Sequence, residues 1–305
     1  RLMVLGQLLT YRTDIPQEGR VSLPRTDVST NASTKLAPLD LRLAIMPTTH
    51  GLRAALRLPA DLLQPQRLEE LGLPEPVLAG LRHFAAADSG LLILTGPAGS
   101  GKTTTIYALL SYIARQSSGL SIISLEDPVE RHLPGVTQIE VTPHGELTYE
   151  RALRSILRQD PQVLMLGEIR DAATASLAIQ AALSGHRLIC TLHASAAAGA
   201  VARLCEMGIE PYQITSAVWA VIAQRLLRRK TEGGGAGYWG RVPAAEIAYL
   251  DAAAREAILR RADAAELQAL TARQSTYVSM RQVGADLAAR GLTDAAEVLR
   301  VFGPE

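Results

Sequence analysis

The chain predicts an α/β fold with a mainly parallel sheet, preceded by a small α+β N-terminal domain and followed by a mostly helical C-terminal region. Three observations carry this. From about residue 73, short and wholly apolar runs alternate with stretches of helical period, the pattern of a parallel sheet covered on both faces. Before that, residues 39 to 58 alternate apolar and polar at period two. After Arg229 a glycine run gives way to Ala- and Arg-rich helical sequence reaching Glu305. With 305 residues and 48% hydrophobic content, the chain can bury one large core and a smaller one.

In chain order, residues 1–60 read as the N-terminal domain, 61–72 as a linker with helical character, 73–230 as the main core and 231–305 as the helical C-terminal region. The apolar phases Leu39, Leu41, Leu43, Ile45 and Leu52, Ala54, Leu56, Leu58 flank Pro47-Thr48-Thr49-His50-Gly51, which predicts a hairpin. Ser22 to Pro38 is rich in Ser, Thr, Asn and Pro without period and reads as a loop. The core strands are expected at Leu91–Leu94, Leu120–Leu125, Val163–Leu166 and Arg187–Leu192. Between them, Ile106, Leu109, Leu110 and Ile113 repeat at helical spacing, as do Leu153, Ile156 and Leu157. Asp171 caps a helix ending near Gly185, and Pro211 opens one expected to carry Ile214, Ala217, Val218, Val221 and Ile222. Thr231 to Gly237 is a flexible break. The start at Arg1, with neither an initiating Met nor a signal-peptide pattern, leads us to expect a longer parent chain.

Composition narrows the function. The 31 basic and 30 acidic residues nearly cancel and form no long like-charged run, so nucleic acid is not an expected partner. Cys190 and Cys205 form no C-x-x-C, which argues against a disulfide framework or a structural zinc and fits a reducing cytoplasm. No stretch reaches the about 18 apolar residues of a membrane helix, so contact with a membrane is expected through a partner rather than by insertion.

The chemistry concentrates at Gly96-Pro97-Ala98-Gly99-Ser100-Gly101-Lys102-Thr103. This matches G-x-x-x-x-G-K-[ST] with an apolar strand before it and an amphipathic helix, including Thr104, after it. The glycines let successive backbone N–H groups turn toward phosphate oxygens, and the helix N-terminus adds its positive end. Lys102 then neutralises the β- and γ-phosphates, and the Thr103 hydroxyl is offered to Mg²⁺. No N-K-x-D occurs, which favours ATP over a guanine nucleotide. Glu126 and Glu168 both fall at carboxyl ends of expected strands, the edge where the P-loop lies and ligands bind. Either can hold a Mg²⁺-bound water or orient the attacking one. Asp127, before Pro128, reads equally as such an acid or as a helix cap. His186 and His193 stand at opposite ends of one strand and cannot chelate one metal. His193, at the carboxyl edge, reads either as a sensor of the γ-phosphate or as a satisfied strand-end histidine. Arg42 and Arg57 lie on the polar phases of the N-terminal strands, where arginines are most often simply solvated.

In this order the motifs resemble the assembly ATPases of type II secretion and type IV pilus systems. Gly101-Lys102-Thr103-Thr104-Thr105 is followed by Ser124-Leu125-Glu126-Asp127-Pro128-Val129-Glu130, similar to that family's aspartate box. Leu153 to Pro161 then leads into Gly167-Glu168-Ile169-Arg170-Asp171, similar to its atypical Walker B, and Gly185-His186 through His193 resembles its histidine box. Met207 to Pro211 and Ala223-Gln224-Arg225-Leu226 follow suit. Pro16 to Arg20 and Met46 to Gly51 look like the domain preceding the motor. The resemblance implies a RecA-like P-loop NTPase core behind a PAS-like N-terminal domain, in a homo-hexamer that uses ATP and Mg²⁺. By the same analogy Glu126 activates water, Glu168 supports Mg²⁺, His186 and His193 couple phosphate state to domain motion, and Arg20, Arg42 or Arg57 reach nucleotide across a subunit boundary. The implied partners are an inner-membrane platform protein and a cytoplasmic-domain recruiter, with the chain peripheral at the inner membrane. Two alternatives stay open: a pilus-retraction or conjugative ATPase, and a nucleotide-binding ring component with little turnover. The sequence departs from the family where a tetracysteine zinc insert is common, since Arg229 to Ala236 is a short bridge and no zinc is expected, and where the histidine box ends in Ala194-Ser195-Ala196-Ala197.

Overall fold

The computed structural model describes residues 1–26, 35–57, 65, 67–117, 119–141, 146–231 and 237–304. Much of the expected loop Ser22–Pro38, the first part of the linker 61–72, His144 and the glycine bridge 232–236 lie outside these residues. The chain forms two compact units, Arg1–Gln64 and Pro65–Glu305.

In the first unit, α1 (Leu2–Leu5) precedes an antiparallel sheet of β1 (Gln17–Thr26), β2 (Lys35–Thr48) and β3 (Gly51–Arg57), in that order. The β2–β3 hairpin is the predicted one, with Gly51 at φ 113° taking a backbone conformation that a side chain would strain. Period-two alternation turns Val21, Leu41, Leu43 and Ile45 to one buried face, against Met3 and Leu8. The strands on either side of the expected loop run further into it than the sequence implied: β1 extends to Thr26 and β2 begins at Lys35.

The second unit continues with α2 (Glu75–Ala86), β4 (Gly90–Thr95), α3 (Lys102–Gln116), β5 (Ile122–Glu126), β6 (Thr137–Glu140), α4 (Tyr149–Ile156), β7 (Val163–Leu166), α5 (Ala172–Leu183), β8 (Arg187–Leu192), α6 (Ala197–Glu206) and α7 (Pro211–Ala217). It ends with β9 (Val218–Lys230), β10 (Tyr238–Tyr249), α8 (Ala252–Leu259), α9 (Ala264–Thr271), α10 (Met280–Ala289) and α11 (Ala295–Phe302). One seven-stranded sheet has the order β10-β9-β4-β8-β7-β5-β6, parallel except for β10. Alternate residues of β4 feed the two faces: Leu91 and Ile93 pack with α5 and α6 residues such as Ala178 and Val201, Leu92 and Leu94 with α2 and α3 residues such as Phe84 and Leu109. All four strand residues are fully buried, which is why the run reads as continuously apolar.

Three expectations are corrected. The helix opened by Pro211 ends at Ala217, and Val218 to Ile222 begin β9, paired in parallel with β4. A short apolar run satisfies both helical and buried-strand patterns, and here the β-branched Val218, Val221 and Ile222 take the strand. The sheet also does not stop at 230, because Tyr238–Tyr249 pairs antiparallel with β9. The alanines of β10 favour a helix by propensity, but pairing and burial of Val242 to Ala248 override it. Finally, the end of the expected linker belongs to the core: the 3-10 turn Leu68–Leu71 buries Leu68 and Leu71 against α3.

The C-terminal helices α10 and α11 rest on β9 and β10 through Ala223, Leu227, Val242, Ala244, Met280, Val283, Leu287 and Val298. At this junction Glu297 is fully buried and held by Arg300, at 2.6 Å on both its bonds, by Arg228 Nε at 2.8 Å and by the Arg228 backbone N–H at 2.8 Å. Those bonds hold its carboxyl down to about 2. No helix among the described residues is long and apolar enough to cross a membrane.

Candidate nucleotide site at the carboxyl edge of the sheet

The P-loop joins β4 to α3, so its turn sits at the carboxyl edge of an interior strand and delivers Lys102 at the first position of a 15-residue helix. Gly96, Gly99 and Gly101 all have φ in the left-handed range, at 146°, 74° and 89°. A Cβ on Gly96 would strike the Gln224 carbonyl, and one on Gly101 would lie 2.7 Å from the Gln224 side-chain nitrogen. Pro97, Ala98 and Gly99 form the exposed crest, whereas Ser100 turns inward. The loop is held from β9: Gln224, 2% exposed, donates to the Ser100 carbonyl at 2.8 Å and accepts from the Thr105 hydroxyl at 2.9 Å. Lys102 Nζ folds onto the Gly96 and Pro97 carbonyls at 2.8 and 3.0 Å. Burial lowers its pKa, nearby Glu168 opposes this, and nearby Arg225 adds to it. Ser100 Oγ is buried with no hydrogen-bond partner. An orphaned buried hydroxyl, in a loop of left-handed glycines that leads into Lys102 at the start of α3, fits an anion of phosphate kind.

Glu126 ends β5 and Glu168 lies two residues past the neighbouring β7, yet their surroundings differ. Glu126 is 3% exposed, and each of its contacts is with a neutral donor: Ser124 Oγ at 2.6 Å and Gln138 Nε2 at 3.0 Å on Oε1, and the Tyr107 hydroxyl on Oε2. Burial first, and Glu126 second, push the Tyr107 phenol far up, so it stays a donor. Glu168 is partly open and has a nitrogen at each oxygen: Arg170 Nε donates to Oε2 at 2.7 Å, and His193 Nε2 lies 2.9 Å from Oε1. Arg170 also reaches Asp127 at 3.4 Å, and the bond to Glu168 raises its own pKa. Asp127 therefore joins this edge network instead of capping a helix.

His193 meets Glu168, as the carboxyl-edge reading anticipates. His186 does not. It precedes β8 while His193 follows it, and six strand residues span roughly 20 Å. His186 hydrogen-bonds the Ala181 carbonyl at 3.0 Å and lines a cavity of about 480 Å³ at the opposite edge with Asp88, Asp160 and Arg187. In the departure Ala194-Ser195-Ala196-Ala197, Ala194 and Ala197 pack with the core and the polar contacts are with the backbone. Thr95 Oγ1 accepts from the Ala194 N–H at 2.9 Å, and Arg225 donates to the Ser195 carbonyl at 3.1 Å.

Thr103 and Thr104 are half-buried at the start of α3. Among the described residues no group of three or more His, Cys, Asp or Glu could hold a metal on its own. A donor set of one hydroxyl and one carboxylate suits Mg²⁺, which keeps several waters and shares phosphate oxygens. Arg20, Arg42 and Arg57 belong to the other unit, and its register sets them side by side: Arg20 faces Arg42 across β1–β2, and Arg42 faces Arg57 across β2–β3. Residues directly opposite share a face, here the one away from Val21, Leu41 and Leu43. The sequence reading passed over Tyr107, Gln138 and the P-loop contacts of Gln224. Tyr107 and Gln138 carry no local signal, and Gln224 appeared only within a motif.

The chain is 38% identical to the type II secretion system protein HxcR of Pseudomonas aeruginosa over 99% of its length and 65% of that protein's. It is 35% identical to the type IV pilus assembly ATPase PilB of Thermus thermophilus over 97% of its length, and spans only 36% of PilB. The solved structure of the pilus retraction motor PilT with bound ADP superposes with a TM-score of 0.71 at 29% identity, over 94% of this chain and 78% of that one. The ATPase DotB of Legionella pneumophila, at 21% identity and a TM-score of 0.74, shares the fold. The family of type II/IV secretion system proteins matches residues 1–300, and the chain belongs to that family.

Proposed function

We propose that the chain is the motor portion of a Mg²⁺-dependent ATPase that works as a homo-hexamer to drive assembly of a type II secretion pseudopilus or a type IV pilus. The observation that carries this is the P-loop, with its orphaned Ser100 hydroxyl and its Lys102, set at one sheet edge with Glu126 and Glu168. Residues 96–104 hold the nucleotide phosphates. Thr103 and, through water, Glu168 hold Mg²⁺, which when bound neutralises charge on the β- and γ-oxygens. Glu126 takes the proton of the attacking water, and His193 reads phosphate state through its bond to Glu168. His186, at the far end of β8, is assigned only to relaying that state. Arg20, Arg42 and Arg57, a cationic row on the N-terminal sheet, serve a neighbouring subunit's nucleotide. The partners are an inner-membrane platform protein and a cytoplasmic recruiter, so the chain is cytoplasmic and peripheral at that membrane. The likeness to PilT keeps pilus retraction as the second reading.

The test is ATP hydrolysis across a protein concentration series with light scattering, with and without Mg²⁺. A Mg²⁺-dependent rate per subunit that rises as hexamers form is expected. Tight ATP binding without turnover in a formed ring would replace the motor with a structural ring component.

A further inference from the structure

We propose that Tyr107 is a positioning residue for hydrolysis, holding Glu126 with one lone pair open to the attacking water and tying it to the helix that grips the phosphates. The inference rests on the reading of Glu126 as the group that activates water.

A carboxylate offers about four lone-pair sites. Ser124 Oγ and Gln138 Nε2 occupy both on Oε1, and the Tyr107 hydroxyl occupies one on Oε2. One place on Oε2 is left. The donors are fixed in direction by their own partners. The Glu130 N–H donates to the Tyr107 oxygen at 3.1 Å, so the single phenolic proton goes to Glu126. The Gln138 amide accepts from the Leu133 N–H at 2.7 Å and gives its second proton to the Arg131 carbonyl at 2.9 Å, which settles its orientation. Glu126 is thus clamped in one rotamer by three buried or half-buried neutral groups.

Tyr107 lies on α3, five residues after Lys102, and is 2% exposed. The same rigid helix therefore carries the cation on the phosphates and the hydroxyl on the base. In the hydrolytic step the water oxygen bonds to the γ-phosphorus, the bond to the bridging oxygen breaks with its electron pair leaving on ADP, and the water proton passes to Oε2 of Glu126. A shift of about 1 Å in the base relative to that water costs on the order of 100-fold in rate. Glu168 has no such open place fixed by neutral donors, since each of its oxygens faces an Arg170 or His193 nitrogen.

The experiment measures kcat, KM for ATP and ADP affinity for the full chain and for Tyr107→Phe, Ser124→Ala and Glu126→Gln, with melting curves for each. Tyr107→Phe is expected to lower kcat about 10- to 100-fold while ADP affinity stays within about threefold and the protein melts as a folded unit. Ser124→Ala, which removes a donor from the other oxygen and does not touch α3, is expected to give a smaller loss of the same kind. In a Glu126→Gln background the Tyr107→Phe loss should shrink to about twofold, because both changes act through one group. If Glu126→Gln is inactive while Tyr107→Phe keeps kcat within about twofold of the parent, the positioning role is wrong and the base assignment stands. If Glu126→Gln itself turns over normally, the base assignment fails and takes this inference with it. Equal loss of kcat and ADP affinity in Tyr107→Phe would make the residue a packing element of the P-loop and overturn the proposal.

Discussion

Gln224 reaches the P-loop from the neighbouring strand, and replacing it with Leu isolates what that bond contributes. The side chain is 2% exposed and makes two bonds, to the Ser100 carbonyl and from the Thr105 hydroxyl, whose residues are 3% and 1% exposed. Leucine fills a similar volume but offers neither donor nor acceptor, so a carbonyl and a hydroxyl are left buried and unpaired. Each such group costs about 1–3 kcal/mol. Taking the low end for both gives about 2 kcal/mol, and a unit of this size melts roughly 2–4 °C lower per kcal/mol, so a fall of roughly 4–8 °C is expected. Where the loop loses its shape before nucleotide binds, the same energy weakens ADP affinity by up to about 30-fold. Calorimetric melting with and without ADP measures both effects. Thr105→Val and the double mutant close a cycle in which the coupling between the two residues should exceed about 0.5 kcal/mol. A Gln224→Leu protein that melts within about 1 °C of the parent and binds ADP equally would refute the view that β9 holds the loop.

Other outcomes follow from the same geometry. Lys102→Ala removes the ammonium now lying on the Gly96 and Pro97 carbonyls and should cut kcat/KM for ATP by about 100-fold or more, as read by phosphate release; normal turnover would remove it from the site. Glu297, held near 2 against an ordinary value near 4.5, stabilises the fold fully above about pH 4.5, and that contribution is lost as pH falls from 4.5 toward 2. The half-exposed arginines screen it to on the order of 1–2 kcal/mol. In urea melts the gap between parent and Glu297→Gln should therefore narrow from pH 6 to pH 3, and a constant gap would count against the assignment. On the proposed ring reading, Arg42→Ala or Arg57→Ala should lower activity only at concentrations where subunits assemble, and equal loss in dilute monomer would argue against a role in a neighbouring subunit.

What could be read from the sequence was what is contiguous along it. The P-loop, the acids at the ends of β5 and β7, and His193 after β8 each sit beside an apolar strand whose carboxyl end is legible, so their shared edge followed from topology. β9 was hidden because Val218 to Ile222 satisfy a helical stripe and a buried strand alike, and only pairing with β4 decides between them. Its partner β10 was hidden by alanines whose helical preference loses to burial. The clamp on Glu126 draws Tyr107 from α3 and Gln138 from β6, 19 residues before and 12 after it, and no spacing rule links residues that far apart. The arginine row had a similar fate: alternation gave the polar phase of each strand, while the register that aligns Arg20, Arg42 and Arg57 is set by strand pairing that alternation does not specify.

The 13 residues of β9 form one unbroken strand. Gln224, near its middle, is fastened to the P-loop, and Arg228, four residues on, is fastened to Glu297 on α11. An extended strand can bend but barely lengthen, and four residues span about 13 Å. Pulling on one fastening therefore displaces the other by nearly the same amount. The P-loop and the start of α11 are thus tied to one strand, at a separation along it that the extended backbone fixes.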